Sequence, residues 1–171
     1  MDKIEEILSS GGAVVLPTET VYGLFCKALD EQAVSHVYDL KGRPREKALN
    51  LNVSSLEEIY QFSKHQPQYL KKLYQAFLPG PLTIILQANE QVPIWVNSGM
   101  KTIGFRVPSH PKTLDLIRKF GPLIGPSANL SGKSSGVNFQ QIMTDFNHEV
   151  LGIEDDAFLT GQDSTILDLS G

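Results

Sequence analysis

Only one cysteine, Cys26, occurs in 171 residues, so no intrachain disulfide can form and a reducing compartment suits the chain. Apart from Lys27, nothing beside that thiol argues for a thiolate, and a buried, inert cysteine is the commoner outcome. No apolar run approaches the roughly 20 residues that a membrane-spanning helix needs. The acidic start, MDKIEEILSS, has no apolar stretch of the signal-peptide kind. These absences predict a cytoplasmic protein with no membrane partner. Excess positive charge is missing too. A net charge of −4 and a pI near 5.5 argue against a surface that wraps nucleic acid. There is no GxGxxG and no GxSxG, so neither a dinucleotide fingerprint nor a serine-hydrolase elbow is present. The four histidines (His36, His65, His110 and His148) lack metal-ligand spacing, and no protein-held metal is expected.

Hydrophobic residues at 41% and charged residues at 20% are ordinary globular usage. The length suits one domain over residues 1–171. Helical spacing is expected over 2–10 and 31–41, the second capped by Asp30 and stopped by Gly42. Further helices are expected over 55–64, after Pro67, from Pro111 to Phe120, and over 139–147 behind Asn138. Ser54 with Glu57 reads as a capping box. Strands are expected at AVVL (13–16), ALNLNV (48–53), LTIILQA (82–88), VPIWVN (92–97), TIGFRV (102–107) and STILDL (164–169). Without strict βα alternation, this order predicts an α/β domain built on a twisted, open, mixed sheet flanked by helices.

Three segments are more polar, or richer in glycine and proline, than packing requires. PTETVYGL, residues 17–24, follows a buried-type strand directly, where an α/β sheet presents groups to a ligand. An ordinary strand-to-turn transition would read the same way. Lys41-Gly42-Arg43-Pro44 ends a helix, and Arg45 and Lys47 follow. Basic residues often close helices, but four cations exceed what a cap needs. A lysine beside an arginine fork suits a polyphosphate. The loop PSANLSGKSSG, residues 126–136, offers hydroxyls, an amide and backbone N–H groups to an anion. Its Gly132-Lys133-Ser134 imitates a P-loop ending, but Ser127 stands where the first glycine belongs, so a P-loop is rejected.

PTETVYGL, KGRP, FLPGPLT (77–83), TIGFRVPSHP (102–111), PSANLSG and STILDL occur in an order and at spacings that resemble the YrdC-domain family, over residues 17–169. The resemblance implies a large basic cavity and a nucleotidyltransferase: ATP, bicarbonate and L-threonine would become L-threonylcarbamoyladenylate and pyrophosphate. A partner transferase complex would then pass the group to tRNA. By the same resemblance, Lys41 and Arg43 are the catalytic cations. They also bind ATP, with Arg45, Thr102, Ser127, Asn129 and Ser135. Thr18, Arg106 and Ser164 fall to threonine. Mg²⁺ is expected with ATP, held mainly by phosphate oxygens, and no organic cofactor is expected.

Two departures stand out. Asn52 replaces a histidine of longer relatives, and their extension past the last strand, which carries an arginine, is missing after Gly171. The chain thus resembles a short, single-domain type. Two rival readings of the same residues are a double-stranded RNA or tRNA-binding module and a catalytically weakened paralogue. Weak contact with such RNA is the remaining partner expectation.

Overall fold

Residue patterning anticipates six of the seven α-helices and five of the nine strands among the described residues; the strands Tyr22–Lys27, Ser63–Lys64, Leu123–Ile124 and Leu151–Gly152 and the helix Ile94–Asn97 are not among those expected. The computed structural model describes residues 2–44, 47–129 and 136–171. Asp2 caps α1 (Lys3–Ser9) by accepting from the Glu5 N–H at 2.9 Å. Strands β1 (Val14–Pro17) and β2 (Tyr22–Lys27) form an antiparallel pair across the PTET turn. Asp30 caps α2 (Glu31–Lys41), and Gly42 ends it in the left-handed region at φ 66°, where glycine pays no Cβ penalty. The remaining helices are α3 (Leu56–Phe62), α4 (Leu70–Phe77), α5 (Ile94–Asn97), α6 (Pro111–Phe120) and α7 (Phe139–Asp145). The remaining strands are β3 (Leu51–Asn52), β4 (Ser63–Lys64), β5 (Gly80–Ala88), β6 (Thr102–Val107), β7 (Leu123–Ile124), β8 (Leu151–Gly152) and β9 (Thr165–Asp168).

Together these make one nine-stranded mixed sheet in the order β4-β5-β6-β3-β7-β2-β1-β8, with β9 paired to β5 in parallel. Its centre is covered on both faces. Val15, Leu24 and Cys26 join one apolar cluster with Val34 and Val37 of α2. Val14, Leu16 and Phe25, one residue out of phase, join the other with Leu8 of α1 and Ile117 of α6. Alternate side chains on a strand point to opposite faces, so a sheet covered twice needs a continuous apolar run. AVVL is such a run. Each of these aliphatic side chains stabilises the fold by about 1.5–3 kcal/mol. Cys26 lies fully buried in the first cluster, and burial, with Asp30 nearby, pushes its thiol pKa far up.

Two expectations are corrected. VPIWVN is not a strand. Pro93 leads into the four-residue helix α5, which buries Val96, and the Trp95 indole donates to the Ala28 carbonyl at 2.9 Å. Proline's fixed φ suits a helix entry and its missing N–H weakens a ladder. The capping box is shifted by one residue: Ser55 caps α3, while Glu58 reaches back to the Ser54 N–H at 3.0 Å. Among the described residues, no helix is long and apolar enough to cross a membrane.

Candidate functional site

A cleft opens between the PTET turn, the C-terminal ends of β3 and β6, the segment after β7 and the start of β9. It consists of two adjoining cavities of about 310 and 130 Å³ that share Asn52, Arg106, Gly125 and Ser127. Asn50 lines both as well; the larger adds Thr18, Thr20, Thr83, Asp163 and Ser164, and the smaller adds Arg43.

Local structure fixes each wall. The Thr18 hydroxyl donates to the Val21 carbonyl at 2.7 Å and accepts from the Thr20 N–H at 3.2 Å. It thereby closes the turn between β1 and β2 and holds the Glu19 backbone in place. Glu19, only 8% exposed, accepts from Arg106 Nη2 at 2.7 Å and from the Ser109 N–H at 3.1 Å. Arg106 projects from β6 opposite Asn52 of β3, with which it is in register. Ser164 shares a 2.7 Å hydroxyl contact with Thr83 of β5. The chain after β7 continues along β2: the Leu24 N–H donates to the Pro126 carbonyl and the Ala128 N–H to the Tyr22 carbonyl, each at 2.8 Å. That pairing delivers Ser127 to the cleft.

The two basic residues that end α2 have different surroundings. Lys41 is 3% exposed, and its ammonium donates to the carbonyls of Ser127 at 2.5 Å and Asn129 at 2.6 Å. Burial first, and the Arg43 charge second, lower its pKa from 10.5 to about 8. Lys41, expected as a catalytic and ATP-binding cation, is not among the residues that line either cavity. Its side chain stays behind the cleft wall because the carbonyls of the Ser-x-Asn loop replace its water shell. Arg43 does line the cleft. Its Nη2 donates to the Ala48 carbonyl at 3.0 Å, while its Nε is buried without a partner. Arg106 Nε is in the same condition. Buried donors are nearly always satisfied, so each of these N–H groups suits a further acceptor, a water or a ligand oxygen.

Of the residues singled out in the sequence, Thr18, Arg43, Arg106, Ser127 and Ser164 meet at the cleft. Lys41 and Asn129 stand behind it, joined to Ser127. Thr102 does not line either cavity. It begins β6, four residues or about 13 Å of strand from Arg106. Arg45 and Ser135 lie outside the described residues, as does Lys133. The sequence reading missed Glu19, Thr83 and Asp163. Glu19 was legible within PTET, but nothing in the spacing of Thr83 or Asp163 pointed to the cleft. Among the described residues, no group of three or more His, Cys, Asp or Glu is placed to hold a metal ion.

Two arginines and several hydroxyls line one cleft on an open mixed sheet, and side chains of those kinds suit a small anion. Residues 6–171 match the model of the Sua5/YciO/YrdC family, described as "Telomere recombination", and the chain belongs to that family. It is 38% identical over 165 residues to the threonylcarbamoyl-AMP synthase of Pyrococcus abyssi. That match covers 95% of this chain but 48% of the relative, so the chain spans about half the length of that protein. A crystal structure of P. abyssi Sua5 complexed with L-threonine superposes with a TM-score of 0.89 at 37% identity, covering 96% of this chain and 49% of that one. Escherichia coli YciO superposes with a TM-score of 0.83 at 28% identity, covering 98% of this chain and 82% of that one.

Proposed function

We propose that the chain carries the threonylcarbamoyl-AMP synthase reaction, making L-threonylcarbamoyladenylate and pyrophosphate from L-threonine, bicarbonate and ATP. The observation that carries this reading is the meeting of Arg43, Arg106, Thr18, Ser127 and Ser164 on one hydroxyl-lined cleft. Arg43 would receive the nucleotide phosphates and Arg106 the threonine carboxylate, with Thr18 and Ser164 around the substrate. Ser127 and Asn129 would meet the triphosphate or the ribose. In the same proposal Thr102, Arg45 and Ser135 would complete the nucleotide contacts once ATP is in place.

The amine of threonine adds to bicarbonate, or to the CO₂ derived from it, and water is lost to give N-carboxy-threonine. The new carboxylate attacks the α-phosphorus of ATP, forming a C–O–P bond as the bond to pyrophosphate breaks. The described residues of the cleft form no nucleophile–base pair, and the proposed chemistry needs none. Positioning and charge stabilisation by fixed donors suffice for such a displacement. Mg²⁺ would arrive on the nucleotide, because the lining residues supply few oxygens of the kind that cage it. The product is an activated acyl donor, which fits a downstream transferase complex that modifies tRNA in the cytoplasm.

The test is incubation with ATP, bicarbonate and labelled threonine. Pyrophosphate should appear only when all three are present, together with a labelled adenylate. Threonine-independent release of pyrophosphate, or none at all from folded protein that binds ATP, would overturn the proposal.

A further inference from the structure

The cleft contains a carboxylate for which the mechanism above has no use. Asp163 lines the larger cavity and is solvent-exposed. It makes no hydrogen bond or ion pair with any described residue. Glu19, the other acid nearby, is already committed: one oxygen takes the Arg106 guanidinium and the other the Ser109 N–H. Among the described residues lining that cavity, Asp163 is thus the one carboxylate.

Its position is set by the sheet. Ser164, the next residue, is pinned to Thr83 at 2.7 Å, and β9 begins at Thr165 in register with Leu82 of β5. Arg106 belongs to β6, on the other side of β5. The cavity therefore reads, across three neighbouring strands, as a cation on β6, a hydroxyl on β5, and a hydroxyl and an anion at the head of β9. A free amino acid carries a carboxylate, an ammonium and, in the hydroxy amino acids, a side-chain hydroxyl. Neutral hydroxyls and one guanidinium account for two of those groups. An acceptor of full negative charge is the complement the third requires.

We infer that Asp163 receives the ammonium of the incoming amino acid and is a specificity-determining residue of the cleft. It selects substrates with a free amino group over hydroxy acids of the same shape. This inference rests on the amino-acid reading of the cleft proposed above. The role belongs to the encounter complex. The ammonium docks against the carboxylate, and the amine is freed when it gives up its proton to solvent through the open side of the cavity.

The experiment is calorimetric titration without ATP, so that binding is read apart from chemistry. Wild type and Asp163→Asn are each titrated with L-threonine and with the hydroxy-acid analogue that carries hydroxyl in place of the amino group. A melting curve confirms that the variant is folded. Solvent screening weakens a charge-assisted contact at an exposed carboxylate, so a loss of about 5- to 10-fold in threonine affinity is expected. Affinity for the analogue should stay the same. If Asp163→Asn binds threonine as wild type does, or loses both ligands equally, the inference is overturned. If wild type itself binds no threonine, the amino-acid reading of the cleft fails, and this inference fails with it.

Discussion

Lys41 and Arg43 are two residues apart, and their backbones share one helix end, yet they answer to different forces. Arg43 lines the cleft, so Arg43→Ala should weaken ATP binding about 10- to 100-fold, with about 1 kcal/mol of stability lost with its bond to the Ala48 carbonyl. An equilibrium titration with ATP checks it, and unchanged affinity would remove Arg43 from the nucleotide site. Lys41 is a buried cation whose pKa falls to about 8, against 10.5 in the unfolded chain. Between those values the unfolded chain holds the proton that the folded one has lost, so unfolding takes up a proton. Stability from this group therefore rises with pH across that window, by up to about 1.4 kcal/mol per unit. Below about pH 8 both states are protonated and the slope vanishes. Urea denaturation at pH 7, 8.5 and 10 should show this rise in wild type relative to Lys41→Met. A constant difference between the two proteins would refute the depressed pKa.

At the scale of elements, the link between β7 and β2 controls the site. Phe25 is fully buried, and its ring fills the space that side chains at Gly23 and Gly125 would occupy. A Cβ on Gly125 would meet the rigid ring of Phe25 rather than the far end of a flexible chain. Gly125→Ala should therefore cost about 1–3 kcal/mol, as overpacking does. It should also disturb Ser127, two residues on, and so weaken ligand binding as well. Thermal melting together with the ATP titration measures both effects; a variant with wild-type melting and wild-type affinity would show that this contact has slack. The Gly42 turn is less crowded, since a Cβ there meets nothing within 4 Å. Its positive φ alone restricts the residue type.

For the whole molecule, charge decides between a small anion and a nucleic acid. The net charge is −4, and of the cleft's two arginines Arg106 is paired with Glu19 while Asp163 lines the same cavity. A protein making six to ten phosphate contacts loses roughly 10³–10⁵ in affinity between 50 and 200 mM salt, and this surface provides few such contacts. At physiological salt it should form no tight complex with double-stranded RNA. ATP plus threonine, at about 100 times their dissociation constants, should each add about 2.7 kcal/mol of stability. For a chain of this size that raises the melting temperature by about 5–10 °C per ligand. Tight RNA binding at 150 mM salt without any thermal shift from the two ligands would reverse the assignment in favour of an RNA-binding module.

How much of this was legible in the chain depends on the range of the forces involved. Helices α2 and α6 were readable almost to the residue, because Asp30, Gly42, Pro111 and Gly121 act on neighbouring backbone. AVVL and LTIILQA announced buried strands through local pattern alone. The motifs PTET, KGRP and SAN marked the segments that line or support the cleft. The strand order was not in the pattern, nor was the parallel docking of β9 on β5 that places Ser164 and Asp163 there. Both depend on pairings between residues far apart in the chain, such as Leu51 with Phe105, Leu82 with Thr165 and Val14 with Leu151. Tertiary structure alone put Lys41 behind the wall and Arg43 on it. Residue type and spacing set the charge of a side chain, but burial and the carbonyls it meets decide whether that charge faces a ligand or the protein itself.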